Sequence, residues 1–214
     1  MVHACPERMW YVNDFLLPSL EKQGILADVW NDSEKKGNLF ATIESFAECG
    51  RNAGATWHLQ DDVVICSDFG ERVKQNTDGV VCGFACQNFG PSMTHVGQVP
   101  AKFMWYSFLC IRVPNELAKE FTDWFYEDAI HRTRYASQIV DRKHDDWFFR
   151  EFILERHLDM FVTNLVPNLV DHIDYLIGGT LINRQRNIQV NRAKFWTDTD
   201  LIQDLEEQLQ RRRN

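Results

Sequence analysis

Two adjacent carboxylates sit in the stretch Trp57-His58-Leu59-Gln60-Asp61-Asp62-Val63-Val64-Ile65. Carboxylates this close repel, and both ionise readily only with a cation beside them. Mg²⁺ and Mn²⁺ take hard oxygen ligands and commonly bridge to phosphates. The pair suits a metal–diphosphate site, and a solvated acidic turn accounts for it as well. A second pair, Asp145-Asp146, follows Lys143-His144 and opens the aromatic run Trp147-Phe148-Phe149. The helix dipole alone favours acids there. One of them within hydrogen-bond reach of an acceptor hydroxyl would also serve as a general base. His172, in the stretch Asn168-Leu169-Val170-Asp171-His172-Ile173-Asp174, is either a metal ligand through a neutral imidazole nitrogen or an ordinary surface or core histidine.

The cationic candidates fall in two places. Arg184, Arg186 and Arg192, with Lys194, form a basic stretch near the carboxyl end. Arginine binds phosphate bidentately, so this stretch could neutralise a leaving diphosphate; a solvated loop is the other reading. Lys35-Lys36-Gly37-Asn38 is either a phosphate contact at a helix N-terminus, with Lys36 as the candidate, or a turn.

These residues need elements to hold them. Val2 to Cys5, Ile25 to Trp30 and Thr56 to Leu59 read as strands. Helices are expected from Arg8 to Gln23, where Pro18 predicts a kink or a shortened helix, and from Asn38, as its cap, to about Asn52. Strand, helix, strand, helix, strand is the pattern of a parallel, doubly wound sheet. Right-handed crossovers place the carboxyl ends of such strands on one edge, where ligands bind. Cys5 to Arg8, Asn31 to Gly37 and Asp61-Asp62 all stand at those ends. Further on, Gly79 to Phe84 and Phe103 to Arg112 read as strands around a loop from Gln87 to Pro100. Asn115 to about Ser137, Asp145 to His157 and Asp200 to Arg213 read as helices, with a short apolar segment over Val162 to Leu169.

Length and composition bound the class. The chain has 214 residues, of which 44% are hydrophobic and 25% charged, with seven Trp, fifteen Phe and five Tyr. That excludes a mainly disordered chain, a collagen and a small disulfide scaffold. With 31 acids against 23 bases the formal charge is −8, which disfavours binding duplex nucleic acid through a broad basic face. The six cysteines, at 5, 49, 66, 82, 86 and 110, form no CxxC pair and read as free thiols in a reducing compartment. No apolar run of spanning length and no signal peptide are present, so a soluble, cytoplasmic protein without a membrane span is expected.

Taken in order, these pieces resemble GT-A fold glycosyltransferases, the small bacterial and phage type. Leu59-Gln60-Asp61-Asp62-Val63 is similar to the family's LEDDV, DXD-type element, with Gln60 in place of the usual acid. His144-Asp145-Asp146 is similar to its xED motif, and Pro167 to Ile173 to the segment carrying its metal histidine. The resemblance implies a GT-A-like α/β sandwich with a mostly parallel central sheet flanked by helices. It implies one catalytic domain over 1–214, with a nucleotide-binding half over 1–62, an acceptor half and lid over 63–198 and a terminal helix over 199–214. The activity implied is sugar transfer from a nucleotide-diphosphate sugar, a UDP-sugar foremost, to an acceptor hydroxyl. Asp62 and His172 would hold Mn²⁺ or Mg²⁺, and Asp61 would contact the ribose or support the metal. Arg8, Asn31 and Asp32 would help seat the nucleotide, and Asp146, beside Asp145, would be the base of an inverting enzyme. Trp105, Tyr106 and Trp147 are aromatics that could stack on sugar or base, with core packing the other reading and the expected role of most of them. The implied acceptor is a saccharide or lipid-linked glycan, or a hydroxymethylated base in phage DNA. Two rival classes share the acid pairs: a metal-dependent phosphoesterase or nuclease, and a non-catalytic nucleotide-binding protein of the same fold.

Overall fold

The computed structural model describes residues 1–84, 97–103, 107–141, 144–178, 193 and 195–213. Strand β1 (Val2–Ala4) passes through a 3-10 turn into a helical run of α1 (Met9–Tyr11), a π-wound stretch (Val12–Leu16) and α2 (Leu17–Lys22). The run continues through Pro18 because the wide turns lie just before it. Proline conflicts with the carbonyl four residues back, here Asp14, and the π-winding falls on that residue. β2 (Val29–Asn31), α3 (Asn38–Cys49), β3 (Ala55–Gln60), β4 (Val63–Ile65) and α4 (Phe69–Gln75) follow. Next come β5 (Val80–Cys82), β6 (Gly97–Pro100), β7 (Cys110–Pro114), α5 (Asn115–Glu127), α6 (Ala136–Asp141), α7 (Asp145–Arg156), β8 (Phe161–Asn164), β9 (Val170–His172) and α8 (Thr199–Arg213).

Seven strands form one sheet in the order β2-β1-β3-β7-β5-β8-β6. β2, β1 and β3 run parallel, β7 is reversed, β5 and β8 return to the first direction, and the edge strand β6 is reversed again. Five of the seven strands therefore share one direction, in the mostly parallel α/β sandwich expected from the alternating elements. β4 and β9 pair separately as a two-stranded antiparallel ribbon.

The two faces of the sheet each carry a core. Ile111 and Val113 pack with Phe46, Phe121, Phe125, Phe149 and Phe152 under α3, α5 and α7. Cys110 and Leu59 point the other way, toward Tyr11, Leu16, Leu20, Phe69 and the α8 residues Ile202, Leu205 and Leu209. The terminal helix thus closes over the amino-terminal helical run.

Several boundaries differ from expectation. The strand expected from Ile25 pairs only from Val29. The loop expected over Gln87–Pro100 ends in a strand, since Gly97–Pro100 pairs with Phe161–Asn164. The long helix expected from Asn115 stops at Glu127. Asp128 leaves the helical region, at φ −120° and ψ −65°, and its carboxylate takes Arg132 and Arg156. Among the described residues no helix is long and apolar enough to cross a membrane, and Cys5, Cys49, Cys66, Cys82 and Cys110 are free thiols.

Candidate functional site

The parallel register sets the edge. Ala4 pairs with Asn31 and His3 with Gln60, so β1, β2 and β3 end side by side and release Cys5, Asp32 and Asp61 at one edge of the sheet. Both carboxylates of the first acidic pair are buried there. Arg8, brought back by the 3-10 turn Pro6–Arg8, donates through Nη1 to Asp61 Oδ1 at 2.8 Å and to Asp62 Oδ2 at 2.5 Å. The Cys5 amide donates to Asp61 Oδ2 at 2.7 Å. Arg8 is itself buried. Its guanidinium is the internal counter-charge of the acid pair, a position the sequence did not reveal when it suggested a nucleotide contact.

The two acids differ in proton affinity. Burial pushes the Asp61 carboxyl up, and the charge of Asp62 adds to this against the pull of Arg8. Asp62 is also buried, but the charges of His172 and Arg8 overcome burial and hold it well below the usual carboxylate range. Asp62 is therefore the firmly ionised member.

The β4–β9 ribbon supplies the histidine. Val63 lies opposite His172 in its ladder, and the Ile173 amide donates to the Asp62 carbonyl at 2.8 Å. This register sets His172 Nε2 3.2 Å from Asp62 Oδ2 and 3.8 Å from Asp174 Oδ2. Burial alone would lower the affinity of His172 for its proton; the Asp62 carboxylate raises it overall. Among the described residues, no group of three or more His, Cys, Asp and Glu side chains is arranged to hold a metal ion. Two protein donors suffice for a cation that shares its shell with phosphate oxygens. Asp62 and His172 fit that case: their donors are an oxygen and an imidazole nitrogen, and Asp62 Oδ1 is buried without a hydrogen-bond partner among the described residues. Asp174 Oδ1 is buried in the same state, a neighbour to which the sequence assigned no role.

The second segment at this edge is a structured turn. Asp32 Oδ1 accepts the Lys36 amide at 2.8 Å and Oδ2 the Gly37 amide at 2.9 Å. Gly37, at φ +88°, supplies the left-handed conformation that starts α3. Asn38 is the first residue of the helix rather than its cap, and its side chain is used elsewhere. Lys36 pairs with Glu44 at 2.7 Å and Glu34 at 3.0 Å. Asn31, exposed, ends β2 beside this turn.

The second acidic pair reaches the same edge through α3. Asp145, buried at the start of α7, accepts from Asn38 Nδ2 at 2.7 Å and Thr42 Oγ1 at 2.9 Å. Burial, then the charge of Asp146, raises its proton affinity. Asp146 is half-buried, and its Oδ1 accepts the Trp147 amide at 2.7 Å. Trp147 packs edge-on to Tyr135 at 5.4 Å between centroids, as a core aromatic does. Sequence spacing had no means of finding Asn38 and Thr42, which lie 107 and 103 residues from the acid they bind.

Arg184, Arg186, Arg192, Lys194, Trp105 and Tyr106 lie outside the described residues. Past the arginines, Asp171 Oδ1 accepts the Ala193 amide at 2.6 Å, and Asn168 Oδ1 accepts the Phe195 amide at 2.8 Å. No protein-family model matches the chain, and no curated protein matches it.

Proposed function

We propose that this chain is a glycosyltransferase that moves a sugar from a nucleotide-diphosphate sugar, a UDP-sugar foremost, to an acceptor hydroxyl. The observation that carries this reading is the meeting of Asp62 and His172 at the carboxyl edge of three parallel strands, where α/β sheets bind nucleotides. A divalent cation bound by Asp62 and His172 would supply positive charge for the diphosphate as it leaves. Arg8 keeps Asp61 and Asp62 together, so Asp62 stays ionised and aimed at His172. The Asp32 turn offers a preformed wall for the nucleotide beside Cys5. Asp146, the more accessible acid at the start of α7, accepts the proton of the attacking hydroxyl in an inverting transfer. The acceptor is a glycan or a hydroxymethylated DNA base. Arg184, Arg186 and Arg192 would neutralise the leaving diphosphate.

The test is incubation of the protein with Mn²⁺, a UDP-sugar (UDP-glucose, UDP-galactose or UDP-N-acetylglucosamine) and an acceptor, either an oligosaccharide or hydroxymethylated DNA. Release of UDP that Asp146→Asn abolishes is expected. Cleavage of nucleic acid in place of UDP release points instead to a phosphoesterase. Binding of UDP–Mn²⁺ without turnover of any donor points to a non-catalytic member of the fold.

A further inference from the structure

The two carboxylates that open α7 have unequal surroundings. Asp146 is half-buried, whereas Asp145 is 2% exposed and takes three donors. Its Oδ1 accepts Asn38 Nδ2 at 2.7 Å and the Asp146 amide at 3.0 Å, and its Oδ2 accepts Thr42 Oγ1 at 2.9 Å. Asn38 and Thr42 are four residues apart and share one face of α3. α3 starts directly from the turn whose amides Asp32 gathers. An unbroken run of bonds thus leads from the carboxyl end of β2, through the first turn of α3, to the backbone of Asp146. Packing of α7 on α3 does not require this. Phe46 of α3 and Phe149 of α7 already meet edge to face at 6.0 Å. A carboxyl group is costly to bury, and this one is buried with both oxygens engaged.

We propose that Asp145 is a positioning residue: it ties the start of α7 to the donor-side turn and so holds the Asp146 carboxylate in register with the nucleotide cleft. This rests on reading Asp146 as the base. Catalytic groups are effective only when held close to their productive geometry, and Asp145 does this for Asp146 through the shared backbone.

Five proteins test the proposal: wild type, Asp145→Asn, Thr42→Val, Thr42→Ser and Asp146→Asn. UDP release from the UDP-sugar that the wild type accepts reports kcat and KM, calorimetry reports UDP–Mn²⁺ affinity, and hydrogen exchange reports the amides of residues 146–149. In Asp145→Asn and Thr42→Val, kcat should fall about 10- to 100-fold while UDP–Mn²⁺ affinity stays within about twofold, the pattern of a misplaced catalytic group. The same amides should exchange faster, and Thr42→Ser, which restores the hydroxyl, should regain most of the rate. Unchanged kcat, unchanged exchange, or a loss of affinity that accounts for the whole effect overturns the proposal. Failure of this proposal alone leaves the wild type active, Asp146→Asn inactive and Thr42→Val as active as wild type. Failure of the transferase reading is distinct, because the wild type then releases no UDP and both readings fall.

Discussion

His172 Nε2 lies 3.2 Å from Asp62 Oδ2 because β9 sets His172 across from Val63, the residue that follows Asp62. Two short strands outside the main sheet thereby join motifs that the chain keeps far apart. The ribbon fixes the backbone of both residues, so their approach does not depend on long, flexible side chains.

If Asp62 and His172 share a phosphate-bound cation, each is needed for nucleotide binding with metal and neither for binding without it. Asp62→Asn and His172→Ala should each weaken UDP–Mn²⁺ binding by more than about 100-fold, beyond the roughly 10- to 100-fold that loss of an outer partner of a metal site costs. UDP binding in the presence of a chelator should be the same in variant and wild type. Calorimetry in the two conditions checks this, and equal losses in both would refute a shared cation.

Arg8 is the buried counter-charge of two buried acids. Removing one partner of such a group typically costs about 3–5 kcal/mol, because the charge left behind has no compensation. Arg8→Met should therefore lower Tm by about 10 °C for a chain of this size. Added Mn²⁺ should recover more of the Tm in Arg8→Met than it adds to wild type, since the ion replaces the missing charge. Thermal denaturation with and without Mn²⁺ decides it; an equal Mn²⁺ increment in both proteins counts against a shared electrostatic role.

Local periodicity made β1, α3 and β3 legible, together with the parallel edge that they build. The acidic pair at the end of β3 was legible for the same reason: strand, turn and carboxylates are contiguous in sequence. What could not be read depends on pairing between distant segments. The reversed β7 looks like any other apolar run, and its direction is set by its partners β3 and β5. The strand at Gly97–Pro100 contains glycine and proline, and it exists because β8 offers it an edge. Arg8 reads as a nucleotide contact until the chain folds and Asp61 and Asp62 draw it inward. Asp145 reads as a helix-terminus acid until α3 supplies Asn38 and Thr42.

The closure of α8 over the amino-terminal helical run predicts that the terminal helix contributes to global stability. Leu205 and Leu209 are buried against the cluster containing Tyr11, Leu16 and Leu20, and the guanidinium of Arg212 lies 5.1 Å from the centre of the Trp10 ring. Leu205→Ala should cost about 2–5 kcal/mol, the range for a buried leucine whose site cannot fully collapse. Urea denaturation of the variant should show a single transition with a lower midpoint. A variant as stable as wild type would mean that α8 is detached in solution.

Asp145 predicts a stability slope with a definite sign. Burial and the neighbouring Asp146 push its carboxyl from the ordinary 3.8 up to about 7 in the folded protein. The folded state then binds this proton more tightly than the unfolded chain does. Its stabilising contribution is fully present below about pH 4, declines as pH rises, and is lost once pH passes about 7. Asp62 works in the opposite direction, losing stability only as pH falls below the ordinary carboxylate range, and it does so equally in wild type and in an Asp145 variant. Asp145→Asn removes the first effect and leaves the second. Urea denaturation across pH 4 to 7.5 should therefore show the variant gaining on wild type by at least about 1 kcal/mol as pH rises. Two parallel stability curves would show that Asp145 is ionised in the folded protein throughout that range.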